Sequence, residues 1–65
     1  MKNEQFIELL RQLKKEGVSY KEIATDCNMP VKKIYYYMNY NCFPYTLRKQ
    51  MEYIILDKYK EIIEL

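Results

Sequence analysis

The residues with the clearest chemical potential are lysines and tyrosines in the middle of the chain. Residues 27–51 contain four basic side chains and no acidic one, whereas the rest of the chain has seven basic and nine acidic side chains. Five of the eight tyrosines lie between Tyr35 and Tyr45. Cationic side chains among aromatic ones suit contact with a polyanion, and tyrosine is also a favoured anchor of protein interfaces. The middle of the chain is therefore the predicted binding region.

The composition argues against catalysis and against metal binding. The sequence has no histidine, one glycine, and two cysteines, Cys27 and Cys42. Neither a four-ligand zinc site nor a Ser–His pair can be assembled from these residues. A chain of 65 residues also has little bulk with which to enclose a substrate. We therefore expect no enzyme activity, no cofactor and no metal, and we expect both cysteines to be free thiols.

The distribution of apolar residues predicts a soluble, cytoplasmic protein. The N-terminus is charged, and no apolar run approaches the roughly 20 residues that span a membrane. Residue types with AT-rich codons (Phe, Tyr, Met, Ile, Asn, Lys) number 34, against 6 of the GC-rich types Gly, Ala, Arg and Pro. This bias favours an origin in a low-GC bacterium, a phage or a mobile element.

Hydrophobic periodicity predicts one all-α domain over residues 1–65, with four helices. These helices are expected at about residues 4–16, 20–27, 30–39 and 45–63. Asn3 is the expected N-cap of the first helix, and Gly17 is expected to end it in the left-handed conformation. Ser19 and Glu22 have the spacing of a reciprocal capping box at the start of the second helix.

The apolar arc of the last predicted helix is wider than one core contact requires. Its members are Met51, Ile54, Ile55, Leu56, Tyr59, Ile62 and Ile63. Either a second subunit or the first helix could cover this arc. We expect a symmetric homodimer formed through residues 51–65, with the first helix as the alternative cover.

The two short central helices and the break between them predict a helix-turn-helix over residues 19–39. Residues 28–30, Asn-Met-Pro, interrupt the helical pattern, because Asn tolerates the left-handed conformation and Pro suits the start of a new helix. The small side chain of Ala24 is expected where the two helices cross. Ile34 is expected to hold the second of them against the core.

Residues 18–24 (VSYKEIA), followed by Asn28, Ile34 and Pro44, resemble the lambda-repressor and Cro type of helix-turn-helix regulators, the xenobiotic-response-element family. The resemblance covers residues 18–44. Asn28 and Tyr40 stand where this family usually has glycine, and Tyr40 implies a different exit from the recognition helix. After Pro44 the family usually has two further helices, whereas one long helix is expected here.

The resemblance implies sequence-specific binding of double-stranded DNA, with the second motif helix in the major groove, and a role as a transcriptional repressor or regulator. Base-facing residues would be Val31, Lys32, Lys33, Tyr35, Tyr36 and Asn39. Phosphate contacts would come from Ser19, Tyr20, Asn41, Arg48 and Lys49. Tyr37 is expected in the core, and Lys14, Lys15, Lys58 and Lys60 on solvated helix faces.

The tyrosines of the middle region also support an alternative function. Tyrosine is a strong interface anchor, and the second motif helix has no arginine or glutamine. A helix-turn-helix scaffold with a tyrosine-rich surface could therefore serve as a protein-interaction module, such as a phage inhibitor of a host protein.

Overall fold

Five helices form the regular structure of residues 1–63, the part of the chain that the computed structural model describes. They are α1 (Asn3–Lys15), α2 (Tyr20–Asp26), α3 (Val31–Asn39), α4 (Tyr45–Lys58) and α5 (Lys60–Ile63). The all-α prediction is confirmed. The last predicted helix is divided in two, because its backbone leaves the helical conformation at Tyr59 (φ −109°, ψ 23°). No helix in residues 1–63 combines the length and apolar character of a membrane span.

The start of α1 differs from the prediction because Asn3 serves a tertiary role. Lys2 is the N-cap residue, and its backbone N–H donates to the Gln5 side chain at 2.8 Å. The Asn3 amide donates to the carbonyl of Asn41 at 2.6 Å, and its Oδ1 accepts from the Phe43 N–H at 2.9 Å. Asn3 therefore fastens the beginning of α1 to the loop that follows α3, and the expectation of an Asn3 cap was wrong.

The turn between α1 and α2 follows the local signals closely. Gly17 takes the left-handed conformation (φ 97°), and the Val18 N–H donates a hydrogen bond to the Leu13 carbonyl at 2.9 Å. Ser19 Oγ accepts from the Glu22 N–H at 3.1 Å, as an N-cap should. The reciprocal half of the capping box is not formed, since the Glu22 carboxylate lies 3.5 Å from the Ser19 hydroxyl instead.

The break between α2 and α3 also takes the expected backbone. Asn28 is left-handed (φ 55°), and the Met29 N–H donates to the Ala24 carbonyl at 2.9 Å. Pro30 is the N-cap of α3, which begins at Val31, one residue later than predicted. This pair of helices has the most extensive contacts of any pair in the described chain.

The exit from α3 differs from that of the family pattern, as Tyr40 implied. Tyr40 stays right-handed, and the next residue, Asn41, takes the left-handed conformation (φ 54°). Asn accepts this backbone more readily than a bulky aromatic residue does. The chain therefore turns one residue later than it would with a left-handed glycine at position 40.

The core explains the broad apolar arc of the last predicted helix. Its completely buried large side chains are Phe6, Leu10, Leu13, Ile23, Ile34, Met51 and Ile55. Met51 and Ile55 are completely buried, Tyr59 is 7% exposed, and α1 packs against both α4 and α5. These three residues were wrongly predicted to form a dimer interface. Ile54, Leu56 and Ile63 are half-buried, and Ile62 is exposed.

Candidate nucleic-acid interface

The outward face of α3 is opposite its core anchor, Ile34, which is completely buried. A helix turns by about 100° per residue, so the side chains centred on the opposite face are Lys32, Tyr36 and Asn39. The predicted outward residues Lys32, Lys33, Tyr35, Tyr36 and Asn39 are all exposed. Val31, the sixth predicted base-facing residue, is half-buried and packs against the core, so it offers only part of its surface.

A line of aromatic rings fixes one edge of this face. Tyr40 and Tyr36 have ring centroids 4.8 Å apart, and Tyr36 contacts Tyr37 at 5.4 Å. Tyr37 packs on Phe43 at 5.3 Å, and Phe43 meets the buried Phe6 at 5.1 Å. Successive ring contacts therefore connect the exposed tyrosines to the core. This support limits their motion before any partner binds, which lowers the entropy lost on binding.

Tyr40 is an interface candidate that the sequence reasoning missed. It is 64% exposed and lies beside Tyr36, one helical turn earlier. The i, i+4 spacing of Tyr36 and Tyr40 was the available signal, but the predicted helix ends at about residue 39.

The two lysines of α3 have no carboxylate partner in the described part of the chain. The carboxylates in the ion pairs within residues 1–63 are bound to other cations, and neither Lys32 nor Lys33 takes part in any of these pairs. An ammonium without a local counter-charge keeps its full attraction for an external anion. The face therefore combines free positive charge with positioned aromatic rings.

The opposite edge of the α3 face is joined to α2 and α1. Tyr20 and Tyr35 pack edge to face, with ring centroids 5.8 Å apart. Lys14 Nζ lies 4.8 Å from the centroid of the Tyr20 ring. Burial raises the pKa of Tyr20, and the charge of Arg11 partly opposes that rise.

The residues predicted to contact phosphate do not all face solvent. Ser19 is exposed, although its hydroxyl already caps α2. Tyr20 is only 8% exposed, so its ring supports Tyr35 instead of standing free as a phosphate ligand. Asn41 and Lys49 are exposed, and the Lys49 ammonium lies 5.6 Å from the Tyr45 ring centroid.

Arg48 was wrongly predicted as a phosphate ligand. It is 9% exposed, its Nη1 donates to the Met1 carbonyl, and its Nε lies 3.7 Å from Glu52 Oε2. Glu52 follows Arg48 by four residues, which places the two side chains on the same face of α4. The guanidinium charge is therefore compensated inside the fold.

An open groove of about 870 Å³ lies between the first turns of α1 and α4. Asn41, Tyr45 and Lys49 line it together with Lys2. Tyr45 is 67% exposed and was also missed, because a residue at the start of a helix has no periodic partner before it. The groove extends the polar and aromatic surface from the end of α3 toward α4.

A second cluster of ionisable groups lies at the ends of α2 and α4. Lys58 Nζ is 2.5 Å from Asp26 Oδ1, and the Tyr59 hydroxyl donates to Oδ2. Hydrogen bonds from Lys58 and Tyr59 lower the pKa of Asp26, whereas burial and the bond to Asp26 raise that of Tyr59. Burial, aided by the Asp26 charge, raises the pKa of the Cys27 thiol to about 11, so this thiol is protonated at neutral pH.

No group of three side chains that could together hold a metal ion occurs within residues 1–63. Both cysteines are free thiols, as expected. Comparison of the chain with protein-family models, with curated proteins and with solved structures gives no match.

Proposed function

We propose that the protein binds double-stranded DNA through the outward face of α3 and acts as a transcriptional regulator, with α2 and α3 as a helix-turn-helix of the lambda-repressor type. The observation that supports this most strongly is the composition of that face. Asn39, three exposed tyrosines and two lysines that have no carboxylate partner within residues 1–63 surround the side opposite Ile34. No catalytic step is part of the proposal, and the site of action would be the bacterial cytoplasm.

The chemistry of this face suits the major groove. A single α-helix fits the groove, in which a lysine ammonium can donate to guanine O6 and N7. The Asn39 amide can pair with adenine N6 and N7, and tyrosine hydroxyls can bond phosphates or base edges. The first helix of the pair, α2, would support α3 from behind, through the extensive contacts between the two helices.

We also propose that two copies bind one pseudo-palindromic site. Recognition helices about 34 Å apart meet successive major grooves on one side of the duplex. Since Met51, Ile55 and Tyr59 belong to the monomer core, the two-fold contact would use the apolar side chains still accessible on α4 and α5: Tyr53, Ile54, Leu56, Ile62 and Ile63. Sedimentation with and without DNA tests this, and a protein that stays monomeric on its site would exclude the dimer.

Selection from random duplexes, followed by sequencing of the bound fraction, tests sequence-specific binding directly. On the selected duplex, Lys32→Ala should weaken binding by about 1–3 kcal/mol and relax the preference at one base pair. Lys60 is an exposed lysine on α5, away from α3 in the sequence. Lys60→Ala removes the same charge and is the matched control for Lys32→Ala. Failure to enrich any sequence, or equal affinities of Lys32→Ala and Lys60→Ala for a selected duplex, would exclude the DNA-reading assignment.

A protein-interaction module remains the second candidate function, because three exposed tyrosines lie on α3 and at its C-terminal end. Tyr35, Tyr36 and Tyr40 are 53%, 58% and 64% exposed. If the partner were a host protein, Tyr36→Ala should abolish its co-purification, whereas Lys32→Ala should have little effect on it. In the DNA-binding protein the lysine substitution should have a clear effect, and the salt dependence should be steep.

A further inference from the structure

The end of α1 approaches the α3 face through two tyrosine rings. Lys14 lies in the last turn of α1, with its ammonium 4.8 Å from the centre of the Tyr20 ring. Tyr20 begins α2 and packs edge to face against Tyr35 of α3. Three helices thus contribute to one continuous edge, although Lys14 and Tyr35 are far apart in the sequence.

Local backbone signals hold this arrangement in place. Gly17 closes α1 in the left-handed conformation, and Ser19 caps α2 directly before Tyr20. Tyr20 is only 8% exposed, so its ring forms a fixed support for the Lys14 ammonium. A restrained lysine loses less side-chain entropy when it engages an anion than a freely moving one does.

The cations near Tyr20 differ in how far they are already paired. Arg11, one turn before Lys14, lies 4.0 Å from the Glu8 carboxylate. Lys14 is exposed and takes part in none of the ion pairs found within residues 1–63. Its charge is therefore available to an external ligand beside the α3 face.

We infer that Lys14 is a phosphate ligand at the rim of the interface, so that the DNA-contacting surface extends over α1, α2 and α3. The inference rests on the proposed function and adds a residue that the periodicity of α1 assigns to a solvated face. Lys14 lies beside α3, the helix proposed to enter the groove, and not on it. At the flanks of the groove the duplex presents its phosphate backbone, whereas base edges are reached only within the groove. A lysine ammonium binds a phosphate oxygen as a point charge, which adds affinity without sequence preference.

The experiment compares Lys14→Gln with Lys15→Gln, two exposed neighbours on the same helix that lose the same charge. Affinity is measured for the selected duplex and for an unrelated duplex between about 50 and about 200 mM salt. Each phosphate contact contributes roughly 0.9 to the slope of log affinity against log salt. When the salt concentration rises from about 50 to about 200 mM, the affinity of Lys14→Gln should therefore fall about 3.5-fold less than the affinity of wild type, on both duplexes. Lys15→Gln should keep the wild-type slope.

Lys14→Arg provides the conservative variant, since its cation can also lie over the Tyr20 ring. It should restore the wild-type slope, and thermal melting should show all three variants folded. Equal slopes for Lys14→Gln and Lys15→Gln in a protein that binds DNA would overturn the role of Lys14 alone. Absence of duplex binding by the wild-type protein would instead overturn the proposed function, and this inference with it.

Discussion

Two regions of this molecule that combine lysine and tyrosine differ in whether a carboxylate lies beside these side chains. On α3, Lys32 and Lys33 adjoin exposed tyrosines, and residues 27–51 contain no acidic side chain. Where α2 meets the end of α4, Asp26 accepts hydrogen bonds from both Lys58 and Tyr59. The same residue types are available to a partner in the first region and are held within the fold in the second.

The contrast shows that residue type is a weak guide to function until the partners of each charge are known. Arg48 illustrates the point within α4, because its guanidinium is compensated by Glu52 while the next residue, Lys49, is exposed. Pairing converts a cation into a structural element, since the charge that would attract DNA is already neutralised. Substitutions of individual side chains test whether this division between paired and accessible cations holds.

The largest effect is expected from Arg48→Ala. The substitution removes the guanidinium beside Glu52, a residue that is 6% exposed. Among the ion pairs within residues 1–63, the Glu52 carboxylate then retains only the Met1 amino group, 3.5 Å away. Breaking a buried ion pair from one side costs about 3 kcal/mol of unfolding free energy, measured by urea denaturation. The salt dependence of DNA binding by the folded fraction should stay unchanged.

Lys49→Ala, one residue later, is the matched control for Arg48→Ala. Its stability should remain within about 0.5 kcal/mol of wild type, because the side chain is exposed. Its salt slope for DNA should fall by about 1, as for the loss of one phosphate contact. The reverse pattern, with Arg48 controlling the slope and Lys49 the stability, would contradict the division.

Ala24→Leu should have a smaller effect on stability but should alter both folding and binding. Ala24 is 2% exposed on α2, the helix that packs most extensively on α3. Three added carbon atoms overpack this site at a cost of about 1–3 kcal/mol, measured by thermal melting. DNA affinity should fall as well, since the displacement reaches the α3 face. Wild-type melting and wild-type affinity together would show that the two helices do not depend on this close approach.

Asp26→Asn should produce the smallest change, and one that depends on pH. The hydrogen bonds from Lys58 and Tyr59 lower the pKa of Asp26, so its stabilisation is complete above the ordinary aspartate pKa of about 3.9. That stabilisation is lost as the pH falls through the lowered pKa of the folded protein. The half-exposed Lys58 limits the effect to about 1 kcal/mol at neutral pH.

Unfolding curves of wild type and Asp26→Asn at neutral and strongly acidic pH measure this difference. The two stabilities should converge in acid, whereas DNA affinity at neutral pH should be the same for both proteins. A constant difference in stability across the pH range would mean that the Asp26 charge is not the stabilising element.

The sequence alone predicted the α1–α2 and α2–α3 turns well, because their determinants act over three or four residues. Gly17 supplies a left-handed backbone, Ser19 supplies a capping oxygen, and Asn28 tolerates the left-handed conformation at the break. It also predicted which residues of α3 face outward, since one buried anchor and the helical period fix that face. The break at Tyr59 was missed, because it coincides with a hydrogen bond to a residue on α2, far away in the sequence.

The candidate site divides in the same way. Lys32, Lys33 and the exposed tyrosines of α3 could be identified from the sequence, because their placement depends on one helix only. The sequence could not show that Arg48 is buried, that Met51 and Ile55 are buried within the monomer, or that the Lys14 ammonium lies over the Tyr20 ring. Those outcomes depend on which helix lies against which, and an amphipathic pattern shows only that a face is buried, not what buries it. Sequence thus determined the first three helices and the outward face of α3, while the tertiary packing decided where the last predicted helix breaks and which cations are paired within residues 1–63.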